Sequence, residues 1–138
     1  MKKMSKSDPS DLSRINLTDE KDAIFNKIKK AKTDPMPMPK DIEDLIERPE
    51  TENLLGIYSS LKNQKLENSI NEFEGRQFSV FKEKLSQTLI EKIDPISKEI
   101  KKLLNDKKYL DEILIKGSEK ADKIASKKIQ EIKELVGF

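Results

Sequence analysis

A chain of 138 residues is long enough for one ordinary domain, and its composition is polar: 39% of the residues are charged and 34% are hydrophobic. The net charge of +2 is too small to indicate nucleic-acid binding, which would need lysines gathered on one face. The sequence has no cysteine and no histidine, which excludes disulfides and cysteine-based zinc sites and removes the commonest general base. No apolar run resembles a signal peptide or a membrane span, so we expect a soluble cytoplasmic protein.

The first 17 residues show no helical period. Residues 8–11, Asp-Pro-Ser-Asp, have turn chemistry, because proline fixes φ and short polar side chains bond to nearby backbone. Residues 14–17 alternate polar and apolar, which predicts a short strand or an extended segment. Thr18 is then predicted to be the N-cap of a first helix, since acidic residues follow it.

The predicted first helix carries Ile24 and Ile28 at helical spacing and ends before an Asp-Pro pair. Its other faces are basic, with Lys27, Lys29, Lys30 and Lys32. The alternate prolines at 35–39 predict a stiff, extended linker. We expect the apolar face of this helix to have no partner within the chain, and the proline run not to dock by its own side chains alone.

Helical periodicity continues to the end of the sequence. A helix is predicted to begin at Pro49, because the first helical position tolerates proline, and Gly56 inside it predicts close packing against another backbone. Further helices are predicted to end at Gly75, to kink or break at Pro95 and to stop at Gly117. The predicted fold class is therefore mainly α, a helical bundle preceded by an irregular arm.

The segment Lys3-Met4-Ser5-Lys6-Ser7 combines two lysines with small hydroxyl residues. A lysine ammonium stabilises the negative charge that develops on a departing pyrophosphate, and serines offer donors to phosphate oxygens. Taken alone, a Lys/Ser-rich terminus of this kind is more often a solvated tail.

These five residues match, without a mismatch, the KMSKS signature of the class I aminoacyl-tRNA synthetases. The order and spacing of later segments resemble the bacterial tryptophanyl-tRNA synthetases within that family. Those segments are Ser7-Asp8-Pro9-Ser10-Asp11-Leu12-Ser13-Arg14-Ile15-Asn16-Leu17, Lys32-Thr33-Asp34, Asn53-Leu54-Leu55-Gly56-Ile57-Tyr58, Phe73-Glu74-Gly75 and Gly117-Ser118-Glu119-Lys120-Ala121. The motif reads KMSKS, whereas bacterial tyrosyl enzymes usually carry a motif close to KFGKS.

The resemblance implies a catalytic role for Lys6 in an ATP-binding loop formed by Lys3, Met4, Ser5, Lys6 and Ser7. It implies that residues 1–40 hold this loop and the end of a Rossmann-type catalytic domain, and that residues 41–138 form a C-terminal helical domain that binds the tRNA anticodon. The implied reaction joins L-tryptophan to its tRNA through a tryptophanyl-adenylate, in a homodimer. ATP would bring Mg²⁺ with it, and no metal would be held by the protein.

The family's HIGH-type motif, which supplies a histidine to ATP, has no counterpart in these residues. We therefore expect the chain to correspond to the C-terminal part of such an enzyme and to be inactive alone. The alternative is a free-standing helical module that binds tRNA without catalytic activity.

The densest basic cluster of the helical part consists of Lys98, Lys101, Lys102, Lys107 and Lys108. Phosphate contacts by these lysines would supply affinity for tRNA, but a charge run is as readily a solvated face. Tyr109 is expected in the core rather than stacked on a base. Phe73, Phe78 and Phe81 are predicted to be core residues.

Overall fold

The computed structural model describes residues 10–137, and they are mainly α-helical. The elements in chain order are a 3₁₀ turn (Asp11–Ser13), α1 (Lys21–Lys30), a second 3₁₀ turn (Glu43–Leu45), α2 (Pro49–Lys62), α3 (Leu66–Phe73), α4 (Phe78–Asn105) and α5 (Lys107–Val136). No strand occurs between residues 10 and 137, so the predicted fold class is confirmed. Residues 14–16 form no strand; Arg14 has extended backbone, with φ −147° and ψ 157°, and Leu17 lies in a turn. α1 begins after Glu20, two residues later than expected.

The described residues form two compact units, one extending to Lys98 and the other beginning at Glu99. The first unit contains α1, α2, α3 and most of α4, together with every buried apolar side chain of the described chain. In the second unit, the Asp106 side chain accepts a hydrogen bond from the Tyr109 backbone N–H at 3.1 Å and so caps α5. No residue of α5 is buried.

An aromatic group lies in the core of the first unit. The rings of Tyr58, Phe73 and Phe81 meet edge to face, with centroids 5.0 to 6.0 Å apart. Phe78 is partly buried against the same core. The predicted core positions of the three phenylalanines are therefore confirmed. Tyr109 is 47% exposed, so its predicted burial is wrong.

The apolar face of α1 is covered, contrary to expectation. Ile24 and Ile28 are buried in one cluster with residues of α2, α3 and α4, and Met38 of the proline run is buried with them. The Met38 N–H donates to the Arg76 carbonyl oxygen at 2.9 Å, and the Gly75 N–H donates to the Met38 carbonyl oxygen at 3.2 Å. Prolines lack an N–H, but the residue between two of them keeps its own, and that is how the run docks.

Two predictions about glycine positions are wrong, and at Pro95 the predicted break is excluded. α4 runs through Pro95 without a break, and α5 runs through Gly117. One glycine costs a helix only about 1 kcal/mol, which the good helix formers around Gly117 offset. Nothing lies within 4 Å of a Cβ built on Gly56, so that glycine has no close-packing role. Gly75, with φ +65°, follows the end of α3 as predicted.

None of the helices described between residues 10 and 137 is long and apolar enough to cross a membrane.

Candidate functional site

The five residues of the predicted loop, Lys3, Met4, Ser5, Lys6 and Ser7, lie outside the described residues. The structure does describe the segment that comes after them. Asp11 stands four residues beyond Ser7 and begins the first 3₁₀ turn. Ser10 and Asp11 are therefore the first described residues after the predicted loop.

A buried lysine connects this segment to α1. Lys27 Nζ lies 2.6 Å from a carboxylate oxygen of Asp11 and 2.6 Å from one of Asp19. The Lys27 side chain is only 8% exposed. The Asn16 side chain donates to Asp11 and Asp19 at 3.0 and 3.3 Å, and its backbone N–H donates to Asp19 at 2.9 Å. We call Asp11, Asn16, Asp19 and Lys27 the Lys27 cluster.

The charges of the Lys27 cluster stabilise one another. Hydrogen bonds from Lys27 and Asn16 hold the pKa of Asp11 below its ordinary value. Burial acts against the charged form at Asp19, but hydrogen bonds from the same two residues outweigh it and lower its pKa. Burial also acts against the Lys27 ammonium, yet its bonds to both carboxylates raise its pKa. The ion pairs therefore persist across the neutral pH range.

The sequence did contain a signal for this cluster that we did not use. Lys27 lies three residues after Ile24 and one before Ile28, so helical periodicity places it on the apolar face of α1. Lys29, Lys30 and Lys32 are exposed, as expected for the basic faces of the helix. The assignment of Lys27 to the same faces is wrong, because its side chain is buried. A lysine on a buried face is rarely found without a partner, and acidic partners were available in the preceding segment.

A second buried ion pair holds the segment after α1. The Arg48 guanidinium donates from Nε and Nη2 to the two oxygens of Asp34, at 2.9 and 2.8 Å, and from Nη2 to the Pro37 carbonyl oxygen at 2.8 Å. The Thr51 hydroxyl donates to Asp34 at 2.7 Å, and the guanidinium lies 5.8 Å from the centre of the Phe78 ring. Arg48 thereby joins the end of α1, the proline run and the start of α2.

Burial also acts against the charged form of Asp34. The hydrogen bonds from Arg48 and Thr51 outweigh it and hold the pKa of Asp34 below its ordinary value. Sequence reasoning had assigned Asp34 only to the end of a helix, because its partners are 14 and 17 residues away.

The five lysines predicted to contact tRNA are all exposed: Lys98, Lys101, Lys102, Lys107 and Lys108. Lys98 lies at the end of the first unit, Lys101 and Lys102 lie on the part of α4 in the second unit, and the last two begin α5. Lys98 pairs with Asp94 at 2.9 Å and Lys102 with Glu99 at 3.5 Å. Exposed pairs of this kind are weak and exchange readily for a phosphate. The assignment of these lysines to tRNA stays a prediction.

Comparison with known proteins supplies the family. The family model described as tRNA synthetases class I (W and Y) matches residues 1–96. The chain belongs to this family. The matched range includes the KMSKS residues, the Lys27 cluster and the Arg48–Asp34 pair, so both buried ion pairs lie within the synthetase sequence.

Several curated synthetases extend the likeness to the whole chain. The tryptophan–tRNA ligase of Agrobacterium fabrum is 50% identical over 137 residues, which are 99% of this chain and 39% of that ligase. The tryptophan–tRNA ligase of Rickettsia felis is 50% identical over 138 residues, which are 100% of this chain and 41% of that ligase. The resemblance to the tryptophanyl members of the family is therefore confirmed. The chain spans about two fifths of the length of these relatives.

Proposed function

We propose that this chain takes part in the ATP-dependent ligation of L-tryptophan to its tRNA. The observation that carries the proposal is the 50% identity to tryptophan–tRNA ligases across 99% of the chain, which includes an unaltered KMSKS motif. The name of the matched family covers both tryptophan and tyrosine enzymes, and the identity to the tryptophan ligases favours tryptophan.

The proposed role of the KMSKS motif follows from the charge changes of amino-acid activation. The tryptophan carboxylate attacks the α-phosphate of ATP, forms the adenylate and expels pyrophosphate, which gains negative charge. The Lys6 ammonium stabilises that charge more strongly in the transition state than in the ground state. Lys3, Ser5 and Ser7 add donors to the same phosphate oxygens. Mg²⁺ would enter with the nucleotide.

The helices after residue 41 are proposed to hold the anticodon arm of tRNA. Lys101 and Lys102 are exposed neighbours on α4, which suits contact with a phosphate backbone, and Lys98 is exposed as well. The family resemblance further implies that the active ligase is a homodimer.

One observation favours a second candidate function, a helical module that binds tRNA without chemistry. The 138 residues contain no histidine, and the HIGH-type motif of the family requires one. We propose that these 138 residues are inactive when tested alone.

The experiment uses a chimera in which this chain replaces the matching 39% of the Agrobacterium fabrum ligase. Tryptophan-dependent exchange of pyrophosphate into ATP is measured, with tyrosine as the control amino acid. We expect exchange with tryptophan in the chimera and none with the 138-residue chain alone. A folded chimera that exchanges nothing, or that exchanges with tyrosine equally well, would refute the proposed function.

A further inference from the structure

We propose that a groove between α1 and the start of α4 binds an unpaired nucleotide of tRNA, with the base on the Phe25 ring and a phosphate beside Lys29. This inference rests on the proposed function, which gives the chain a tRNA partner, and it names where one nucleotide of that partner binds. The groove has a volume of about 400 Å³ and lies within the first unit. Sites for single drug-sized ligands begin at about 300 Å³, so one nucleotide fits and a double helix does not.

The Phe25 ring supplies the stacking surface. Among the described aromatic residues only Phe25 and Tyr109 are exposed, and Phe25 is 42% exposed. Phe78, which also lines the groove, is partly buried against the core, and the Arg48 guanidinium lies 5.8 Å from its ring centre. Unpaired bases stack on aromatic side chains, whereas the bases of a double helix are already stacked on one another. The groove therefore suits single-stranded RNA, such as a loop of tRNA.

Lys29 and Lys82 supply the positive charge of the groove. Lys29 is exposed and forms no ion pair with another residue between 10 and 137. Lys82 Nζ donates to the carbonyl oxygens of Ala31 at 2.6 Å and Lys29 at 3.4 Å, so its ammonium is fixed at the end of α1. Burial lowers the pKa of Lys82, and no carboxylate of the described chain is bonded to it. A phosphate in the groove therefore meets two ammonium groups and one carboxylate, that of Glu83.

A second groove of similar size shows how charge separates the two places. Its volume is about 410 Å³, and it also lies within the first unit. An exposed isoleucine, Ile42, lines it, but its charged lining consists of three carboxylates and one lysine: Asp41, Glu43, Glu67 and Lys40. That balance repels phosphate. The second groove is therefore a control for size and apolar lining with the opposite charge.

The first test uses fluorescence of the 138-residue chain. The sequence has no tryptophan, so Phe25→Trp places a single fluorophore in the groove and keeps an aromatic surface there. A tryptophan tRNA transcript should quench this fluorescence and should bind as tightly as it does to the unaltered chain. Ile42→Trp is the matched control, because it places the fluorophore at a 47% exposed position of the second groove, where the transcript should cause no quenching.

The second test measures the affinity of the same transcript for substituted chains. Phe25→Ala should raise Kd about tenfold, since one base loses its stacking partner. Ile42→Ala should leave Kd unchanged. Lys29→Gln should reduce the slope of log Kd against log salt by about 0.7, the effect of one contact with a single-stranded phosphate. Phe25, Lys29 and Ile42 are all exposed, so the three variants should keep the melting temperature of the unaltered chain.

The outcomes separate this inference from the proposed function. Quenching confined to Phe25→Trp, together with weaker binding by Phe25→Ala, supports the groove. Equal Kd values for the unaltered and Phe25→Ala chains, or equal quenching at both tryptophans, overturn it. A chain that binds no transcript also overturns it, because both sides of the groove belong to these 138 residues. Quenching of Phe25→Trp by AMP alone, at the concentration at which the transcript saturates, overturns it as well, since the site would then take a free nucleotide. The proposed function is decided separately by pyrophosphate exchange in the chimera, a reaction that needs no tRNA.

Discussion

Arg48 and Asp34 form a two-point ion pair, with Nε and Nη2 of the guanidinium 2.9 and 2.8 Å from the two carboxylate oxygens. Arg48 is 6% exposed, so its charge has little access to water. A buried charge that loses its partner destabilises a fold more than the pair itself stabilises it. The pair therefore fixes how the chain leaves α1.

Removal of the Asp34 carboxylate should therefore destabilise the fold. We expect Asp34→Ala to lower the free energy of unfolding by about 3 kcal/mol, since it strands a buried guanidinium. Arg48→Lys should also destabilise the fold, because an ammonium lacks the planar pair of donors. Urea unfolding followed by circular dichroism measures both. Lys32→Ala, which breaks an exposed pair with Glu50, is the control and should leave the midpoint unchanged. An equally stable Asp34→Ala variant would show that Arg48 finds water or another partner.

The pKa shifts predict how stability depends on pH. The pKa values of Asp19 and Asp34 are lower in the fold than in the unfolded chain. Their contribution is therefore present above the unfolded value of about 4 and is lost as pH falls through the lower folded values. The pKa of Lys27 is raised, so its contribution is present below about pH 10 and is lost as pH rises further.

Denaturation by urea at a series of pH values checks this. The free energy of unfolding should be constant from about pH 5 to 9 and should fall below and above this range. In the Asp34→Asn variant, the free energy of unfolding should decrease less at acid pH than it does in the unaltered chain. An acid limb as steep as that of the unaltered chain would show that Asp34 contributes nothing to it.

The structural features that could be predicted from the sequence depend on residues that are close together in the chain. The start of α2 at Pro49 and the glycine after α3 at Gly75 follow from local backbone rules. The docking of Met38 could not be predicted in this way, because its backbone partners, Gly75 and Arg76, are more than thirty residues away. The partners of Asp34 could not be predicted either, because they too are distant in the sequence. Lys27 was a different case: its spacing from Ile24 places it on the apolar face of α1, yet it was assigned to the basic faces of that helix.

Two methionines of the proline run test whether that run belongs to the core. Met38 is 2% exposed and Met36 is 51% exposed. Met38→Ala should lower the free energy of unfolding by about 2–4 kcal/mol through the lost contacts and the cavity left behind. Met36→Ala should have little effect. Equal urea midpoints for the two variants would contradict the packing of Met38 against the helices.

The exposed lysines of α4 lead to a prediction about how tRNA affinity depends on salt concentration. If Lys101 and Lys102 contact phosphates of a tryptophan tRNA, replacing both with glutamine should reduce the slope of log Kd against log salt by about 1.4–1.8. Binding of the transcript to the 138-residue chain, measured from 50 to 300 mM salt, gives the slope. Lys62→Gln with Lys65→Gln is a matched control, since both residues are exposed and lie outside α4, at the end of α2 and just before α3. Identical slopes for the two double variants would contradict the assignment to α4.

The central claim, that the KMSKS residues of this chain stabilise the transition state of tryptophan activation, is tested most directly by one substitution. In the chimera with the Agrobacterium fabrum ligase, Lys6→Ala should lower kcat of pyrophosphate exchange by about 10²–10³, with a smaller change in the KM for tryptophan. Lys30→Ala, a lysine exposed on α1, should exchange at the unaltered rate. A Lys6→Ala chimera that turns over as fast as the Lys30→Ala chimera would contradict the claim.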